Sequence, residues 1–393
     1  MQRLLLLLIV PILFSCGRHK PARIITQASG KPHVLIEGLE GDFYKRYSGT
    51  IAGKPVVAQL QRWNGILYGN YQYASSGRTI TLHVNPNADE NADIVLMEQS
   101  GDLPQNEQPT WHIQIENQSI SGQWQSADGT QQFPILLTEN YPAGSIHLNA
   151  FFQEDSTLLI AEKPKGARAI STYEYLVPAE VETSTFLTKS IIDCLAPQYS
   201  SATNIQEALR RKDEAYFADY RKLNEELYRN MHSEEATFSF NYTNEERLSV
   251  LYNDNNWLVT ECFIATYTGG AHGNYGSSYL NMDLASQKKW SLTDIVVDTN
   301  LLLPALNDAA LLYFQLKPGE DVGSRMLVQQ VPITSNFFLS GRGITFVYNP
   351  YEIASYADGQ VALFLSYSSI LHNLTPAFIE RMRLAENAGV AGL

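Results

Sequence analysis

The chain has 393 residues, long enough for two or three domains with cores of their own, and its 44% hydrophobic content is ordinary for a globular protein. A formal net charge of −13 argues against nucleic acid, whose phosphates need a positive footprint, and suits a basic partner instead. The 22 tyrosines favour strand-rich structure.

The chain opens MQRLLLLLIVPILFSCGRHK, with a positive start at Arg3 and an apolar run from Leu4 to Phe14 broken only by Pro11. That run is shorter than the roughly 20 residues a spanning helix takes and suits the h-region of a secretory signal. It ends at Leu13-Phe14-Ser15-Cys16, which resembles the lipobox of bacterial lipoproteins, although Phe14 is bulkier than usual there. The resemblance implies that residues 1–16 are a lipoprotein signal and that Cys16 is the lipid attachment site. The other reading is an ordinary cleaved signal with an incidental cysteine. Each buried CH2 contributes roughly 0.8 kcal/mol, so several acyl chains such as palmitate on one cysteine would hold the protein to a membrane without spanning it. The expected location is the cell envelope, periplasmic or surface-facing. Residues 17–32 are basic and turn-rich and read as a tether.

Residues 33–140 are expected to be all-β. Trp111, Ile113 and Ile115 alternate with polar neighbours, as do Ile80, Leu82 and Val84, which is the period of a half-buried strand. Turn signals at Asn64-Gly65, Ser76-Gly77 and Asp128-Gly129 separate such runs. Leu67-x-Gly69-x-Tyr71 is echoed by Ile120-x-Gly122-x-Trp124, and a glycine beside a large aromatic lets strands approach closely or bend. An antiparallel meander or a small barrel follows from this.

Residues 145–385 read as an α+β domain. STYEYLVPAEV is a strand and TSTFLTKSIIDCLA a short helix. A longer helix is expected from Asn204, its cap, to Met231, with Ile205, Leu209, Tyr216, Tyr220, Leu223 and Leu227 as the apolar stripe facing the core. Strands resume at about 237, including WLVTECFIATYT. A helix is expected over LLLPALNDAALLYFQL, a last pair of strands over GITFVYNPYEIASYADGQVALFLSY, and a closing helix from Thr375 with Pro376 in its first turn. Cys194 and Cys262 either pair in an oxidising compartment or stay as two buried thiols.

YTGGAHG, then LNMDLASQKKWSLTDIV, then FVYNPYEIASYADG before an apolar strand resemble the extracellular domain of RsiV-type anti-sigma proteins and PdaC-type deacetylases, known as domain of unknown function 3298. The resemblance covers about 235–380, and the part from about 150 resembles the domain that usually precedes it. It implies a wall-facing module, some members of which recognise lysozyme. The chain departs from those architectures in showing neither a cytoplasmic segment ahead of a transmembrane helix nor a polysaccharide-deacetylase domain with its Asp/His metal motifs. The family's activities therefore do not carry over with the module.

Among candidate chemistries, His272 near Asp283, Ser277 or Ser278 would make an acid/base pair. No G-x-S-x-G elbow, H-E-x-x-H helix or P-loop accompanies it. Gly269, Gly270, Gly273 and Gly276 are explained by backbone need, with His272 fixing the loop; as an alternative, their amides form an anion-binding nest. Tyr351, Glu352 and Tyr356 of NPYEIASYADG offer an interface surface or else a structured turn around Pro350. Ser286 to Lys289 matches S-x-x-K, but its lysines look solvated and so too basic to activate a serine. No histidine pair has ligand spacing, so no metal, cofactor or catalytic residue is expected. The expectation is a lipid-anchored envelope protein that binds or senses cell-wall glycan or peptide, or a lysozyme-like protein. The alternatives are a peptidoglycan hydrolase or deacetylase using the His272 loop, and a structural subunit of an envelope assembly.

Overall fold

A computed structural model describes residues 41–84, 94–99, 107–116, 118–179, 184–230, 238–317 and 319–384. Cys16, the signal and the tether lie outside the described residues.

Eight antiparallel strands come first: β1 (Phe43–Ile51), β2 (Lys54–Trp63), β3 (Ile66–Tyr73), β4 (Thr79–Val84), β5 (Ile94–Gln99), β6 (Thr110–Glu116), β7 (Ser119–Gln125) and β8 (Gln132–Glu139). Each pairs with the next, and β1 pairs with β8 from Tyr47↔Glu139 to Ile51↔Ile135, which closes a barrel. The inward residues, among them Tyr47, Leu60, Leu82, Leu96, Trp111, Ile113 and Ile135, fill it as an apolar core. Both echoed glycines sit where strands crowd. A Cβ on Gly69 would lie 2.6 Å from the Gln59 carbonyl oxygen, and one on Gly122 would lie 2.1 Å from that of His112. Only a residue without a side chain permits so close an approach.

The rest of the chain builds on a six-stranded sheet of β9 (Leu148–Leu158), β10 (Arg168–Pro178), β11 (Tyr242–Asp254), β12 (Trp257–Tyr267), β13 (Asn274–Asp283) and β14 (Lys288–Lys289). Its order is β14-β13-β12-β11-β10-β9, and only β10 and β11 run parallel. The crossover joining that parallel pair carries α1 (Ser184–Leu195) and α2 (Ile205–Arg229), as parallel strands require. Leu258 and Cys262 face those helices, and a disulfide joins Cys262 to Cys194 of α1, with Cα atoms 6.2 Å apart. Trp257 and Val259 point the other way, into a second core. That core is shared with β15 (Phe337–Leu339), β16 (Gly343–Tyr348), β17 (Val361–Ser366), α3 (Leu292–Ile295), α4 (Leu303–Tyr313) and α5 (Pro376–Arg381).

The buried face of α2 differs from the expected stripe. Asn204 caps the helix by accepting a 2.8 Å hydrogen bond from the Glu207 amide. Leu223 and Leu227, however, are 65% and 61% exposed, while Asp213 and Asn224 are buried. The polar pair is tolerated because tyrosines meet it: Tyr173 donates to Asp213 at 2.7 Å and Tyr242 to Asn224 at 3.1 Å. A buried polar group costs little once it is paired, so the helix can turn a partly polar side inward.

The barrel is joined to the sheet by polar side chains. β10 covers β11 only as far as Arg247, which leaves the backbone from Leu248 onward without a neighbouring strand on that side. Barrel side chains take the strand's place. The Val250 amide donates to Gln61 at 2.8 Å, Asn70 donates to the Val250 carbonyl at 2.7 Å, and Gln72 donates to that of Leu251 at 3.3 Å. Arg46, 2% exposed, donates to the carbonyls of Asn253 (2.9 Å) and Asn140 (2.7 Å) and to the Asp254 carboxylate (2.7 Å). Backbone groups that would otherwise be buried and unpaired are thus satisfied.

Candidate functional site

Two of the sequence candidates meet. The loop after β12 turns through Gly269 (φ +90°) and Gly270 (φ +95°), angles that favour glycine. A Cβ on Gly269 would also lie 2.7 Å from the Ser239 carbonyl oxygen, whereas one on Gly270 would meet nothing. Nearby, His272 Nδ1 lies 2.8 Å from the Gly273 carbonyl oxygen, and its ring stacks on Tyr356 at 4.3 Å. Tyr356 donates to the same carbonyl at 2.9 Å across 83 positions of sequence.

The turn after β16 completes this surface. Tyr351 is 55% exposed at φ +71°, an uncommon angle for a residue with a side chain, and its ring lies 5.7 Å from that of Tyr356. Glu352 points back into its own turn, accepting from the Asn349 amide at 3.0 Å. Asn349 in turn accepts from the Ser277 amide at 2.8 Å, which docks the turn onto β13.

Two of the acid/base partners considered for His272, Ser277 and Asp283, are engaged elsewhere. Ser277 donates to Glu261 at 2.6 Å. Asp283 is 2% exposed and bound by Arg381, whose Nε and guanidinium nitrogen lie 2.9 and 2.8 Å away. Burial pushes its carboxyl up, but the Arg381 and Ser286 hydrogen bonds outweigh that and hold it below the usual range. Two grooves of about 470 and 500 Å³ open between residues 42–45 and 147–151 and along residues 126–131, and neither includes His272. Among the described residues, no group of three or more His, Cys, Asp or Glu side chains is placed to hold a metal ion.

A further part of this surface was not apparent in the sequence. Arg247 of β11 lies 4.5 Å from the Tyr68 ring of the barrel and 4.8 Å from that of Phe263. Phe263 contacts Tyr275, and Tyr275 contacts Tyr356, at 6.1 and 5.6 Å between rings. One aromatic line thus runs from Tyr68 through Arg247, Phe263, Tyr275 and Tyr356 to Tyr351. Carboxylates flank it. Glu174 lies 3.9 Å from Arg247, and burial drives its pKa up to about 7; Arg247 opposes that rise, while Glu245 and Asp42 add to it. Burial also raises Glu245, and it lowers His83, beside Tyr68, to about 4 with help from Arg247. The signal available in the sequence was the charged string Glu245-Glu246-Arg247 placed just before the largely apolar run Leu248 to Tyr252 of the same strand.

A pH dependence follows. Glu174 has an ordinary value near 4.5 when unfolded and about 7 when folded, so the folded state holds the extra proton between those limits. Its contribution to stability is present below about pH 4.5 and is lost as pH rises through 7. His83 gives the opposite slope between about pH 4 and 6.5, so the informative quantity is the difference between parent and variant. Glu174→Gln should be more stable than the parent by about 1–2 kcal/mol at pH 8, with little difference at pH 4.5, by urea unfolding across that range.

Comparison with known proteins agrees with this architecture. Residues 181–275 match the family model described as deacetylase PdaC, and residues 294–368 match that of DUF3298, a protein of unknown function. The His272 loop falls in the first match and the Tyr351 turn in the second, so the aromatic line crosses from one to the other. A DUF3298 family member from Bacteroides fragilis has a similar fold, with a TM-score of 0.54 and 23% identity over 60% of this chain and 97% of that one. A DUF3298 family protein from Pseudomonas aeruginosa aligns with a TM-score of 0.44 and 17% identity, over 59% of this chain and 96% of that one. No curated protein matches the chain. The PdaC and DUF3298 regions suggest an extracellular cell-envelope protein.

Proposed function

We propose that this protein is held in the envelope by lipid on Cys16 and binds a basic partner at the wall, a lysozyme-like protein, along the line from Tyr68 to Tyr351. The observation that carries the reading is the continuity of exposed and half-buried aromatic rings with carboxylates beside them. Aromatic rings supply large contact area at small entropic cost and dominate binding energy in interfaces, and carboxylates steer a positively charged partner. The disulfide supports an oxidising compartment. No helix among the described residues is long and apolar enough to cross a membrane. His272, whose ring packs flat on Tyr356 and whose Nδ1 faces a backbone carbonyl, acts as a support for the surface.

The test is calorimetric titration with a purified lysozyme, and with soluble peptidoglycan fragments as the second arm. Tyr351→Ala should weaken binding about tenfold or more, with the unfolding midpoint unchanged. Saturable binding of the wall fragments alone would move the ligand from protein to glycan or peptide. Turnover of those fragments that is lost in His272→Ala would replace the reading with the hydrolytic one.

A further inference from the structure

The barrel carries a second feature, independent of that surface. Glu98 is the penultimate residue of β5, faces inward and is 5% exposed. Its Oε1 accepts three hydrogen bonds, from the Tyr71 hydroxyl at 2.6 Å and from the indole nitrogens of Trp111 at 3.0 Å and Trp124 at 2.8 Å. Its Oε2 takes no hydrogen bond from a described residue, and no Lys or Arg pairs with the carboxylate among them. A carboxylate buried without a cation is costly, and three donors crowded on one oxygen leave the other oriented and unspent.

Aromatic side chains surround this carboxylate. Trp111, Trp124, Tyr71 and Phe133 gather at one end of the barrel: Tyr71 and Trp111 lie 4.8 Å apart between rings, and Trp124 stacks on Phe133 at 5.6 Å. Phe133 is 38% exposed, so the aromatic wall reaches solvent. A groove of about 500 Å³ between Glu107 and the turn at 126–131 is lined by neither Glu98 nor these rings, so the site rests on the carboxylate and the rings themselves. Eight-stranded barrels are wide enough to take one small ligand at the mouth, and ring faces with a carboxylate are the usual means of holding an organic cation.

We propose that this mouth of the barrel binds an organic ammonium group, with Glu98 Oε2 as its counter-charge and Trp124 and Phe133 as its walls. The ammonium can come from a primary amine, which would donate N–H bonds to Oε2, or from a quaternary head, which would rest on the rings. Both share the same charge and the same site.

The experiment titrates the full chain with n-butylammonium chloride and with choline chloride. It is followed by calorimetry and tryptophan fluorescence against sodium chloride at equal ionic strength. The neutral isostere of choline, 3,3-dimethylbutan-1-ol, is the control. At least one ammonium should bind saturably and about tenfold more tightly than the neutral isostere, and Glu98→Gln should remove that preference. Glu98→Gln keeps an oxygen for the three donors, and Phe133→Ala trims the exposed wall without touching them. If the first variant fails to fold, a several-fold weaker affinity in the second carries the test. Binding by the primary amine alone would assign the N–H mode, and binding by choline alone the ring mode. The proposal is overturned if neither ammonium saturates below about 10 mM, if the alcohol binds equally well, or if affinity survives both substitutions unchanged.

Discussion

Replacing Arg46 with methionine should destabilise the protein by about 3–5 kcal/mol, seen as a lower urea midpoint with an unchanged slope. The stem of the side chain would still fill its space, so packing changes little. What is lost is the guanidinium that holds the carbonyls of Asn253 and Asn140 and the Asp254 carboxylate together. Those acceptors cannot all turn to water, because Asn253 is buried and its side chain is occupied by both backbone groups of Ile146 and by the Tyr44 hydroxyl. Lys189→Met is the control. Its ion pair with Asp193 sits on a helix surface, and its loss should cost at most about 0.5 kcal/mol. A change below about 1 kcal/mol for Arg46→Met would mean that the Gln61, Asn70 and Gln72 hydrogen bonds and the apolar contacts of Tyr44 and Trp63 hold the barrel to the sheet without it.

The second large effect is expected from Cys194→Ala combined with Cys262→Ala. The bond encloses a sequence separation of 68 residues and ties α1 to the middle of the sheet. Chain-entropy arguments give it about 4 kcal/mol, acting mostly on the unfolded state. The double alanine variant avoids stray thiols and leaves Leu187 and Ile191 of α1 packed as before. Adding dithiothreitol to the parent should lower its midpoint to that of the variant, and the variant itself should not respond. A variant as stable as the oxidised parent would show that the crossover packs without the bond.

The barrel strands were legible because inward and outward residues alternate and because Gly69 and Gly122 repeat one pattern. The closing of β1 on β8 was not, since that pairing joins the two ends of the region and leaves no local mark. In α2 the leucines outweighed Asp213 and Asn224 in any reading by hydropathy, and only the tyrosines on neighbouring strands reveal why the polar pair is inside. Gln61, Asn70 and Gln72 likewise look like outward polar positions of barrel strands, yet they are buried against β11. The two halves of the candidate surface were each visible as unusual stretches, one by its glycines and one by Pro350 and its tyrosines. Their meeting at the Gly273 carbonyl depends on the turn between β16 and β17 folding back onto β13, which local sequence does not encode. The Arg247 line was missed because its members come from β3, β11 and β12 and carry no common motif.

The way Gln61, Asn70, Gln72 and Arg46 stand in for a missing strand has a practical consequence. Produced alone, the part from residue 141 onward would present a raw seam of unpaired amides and carbonyls, the kind of margin that zips onto a copy of itself. The barrel therefore works as a selvedge, and the two parts should be cloned, purified and crystallised as one piece.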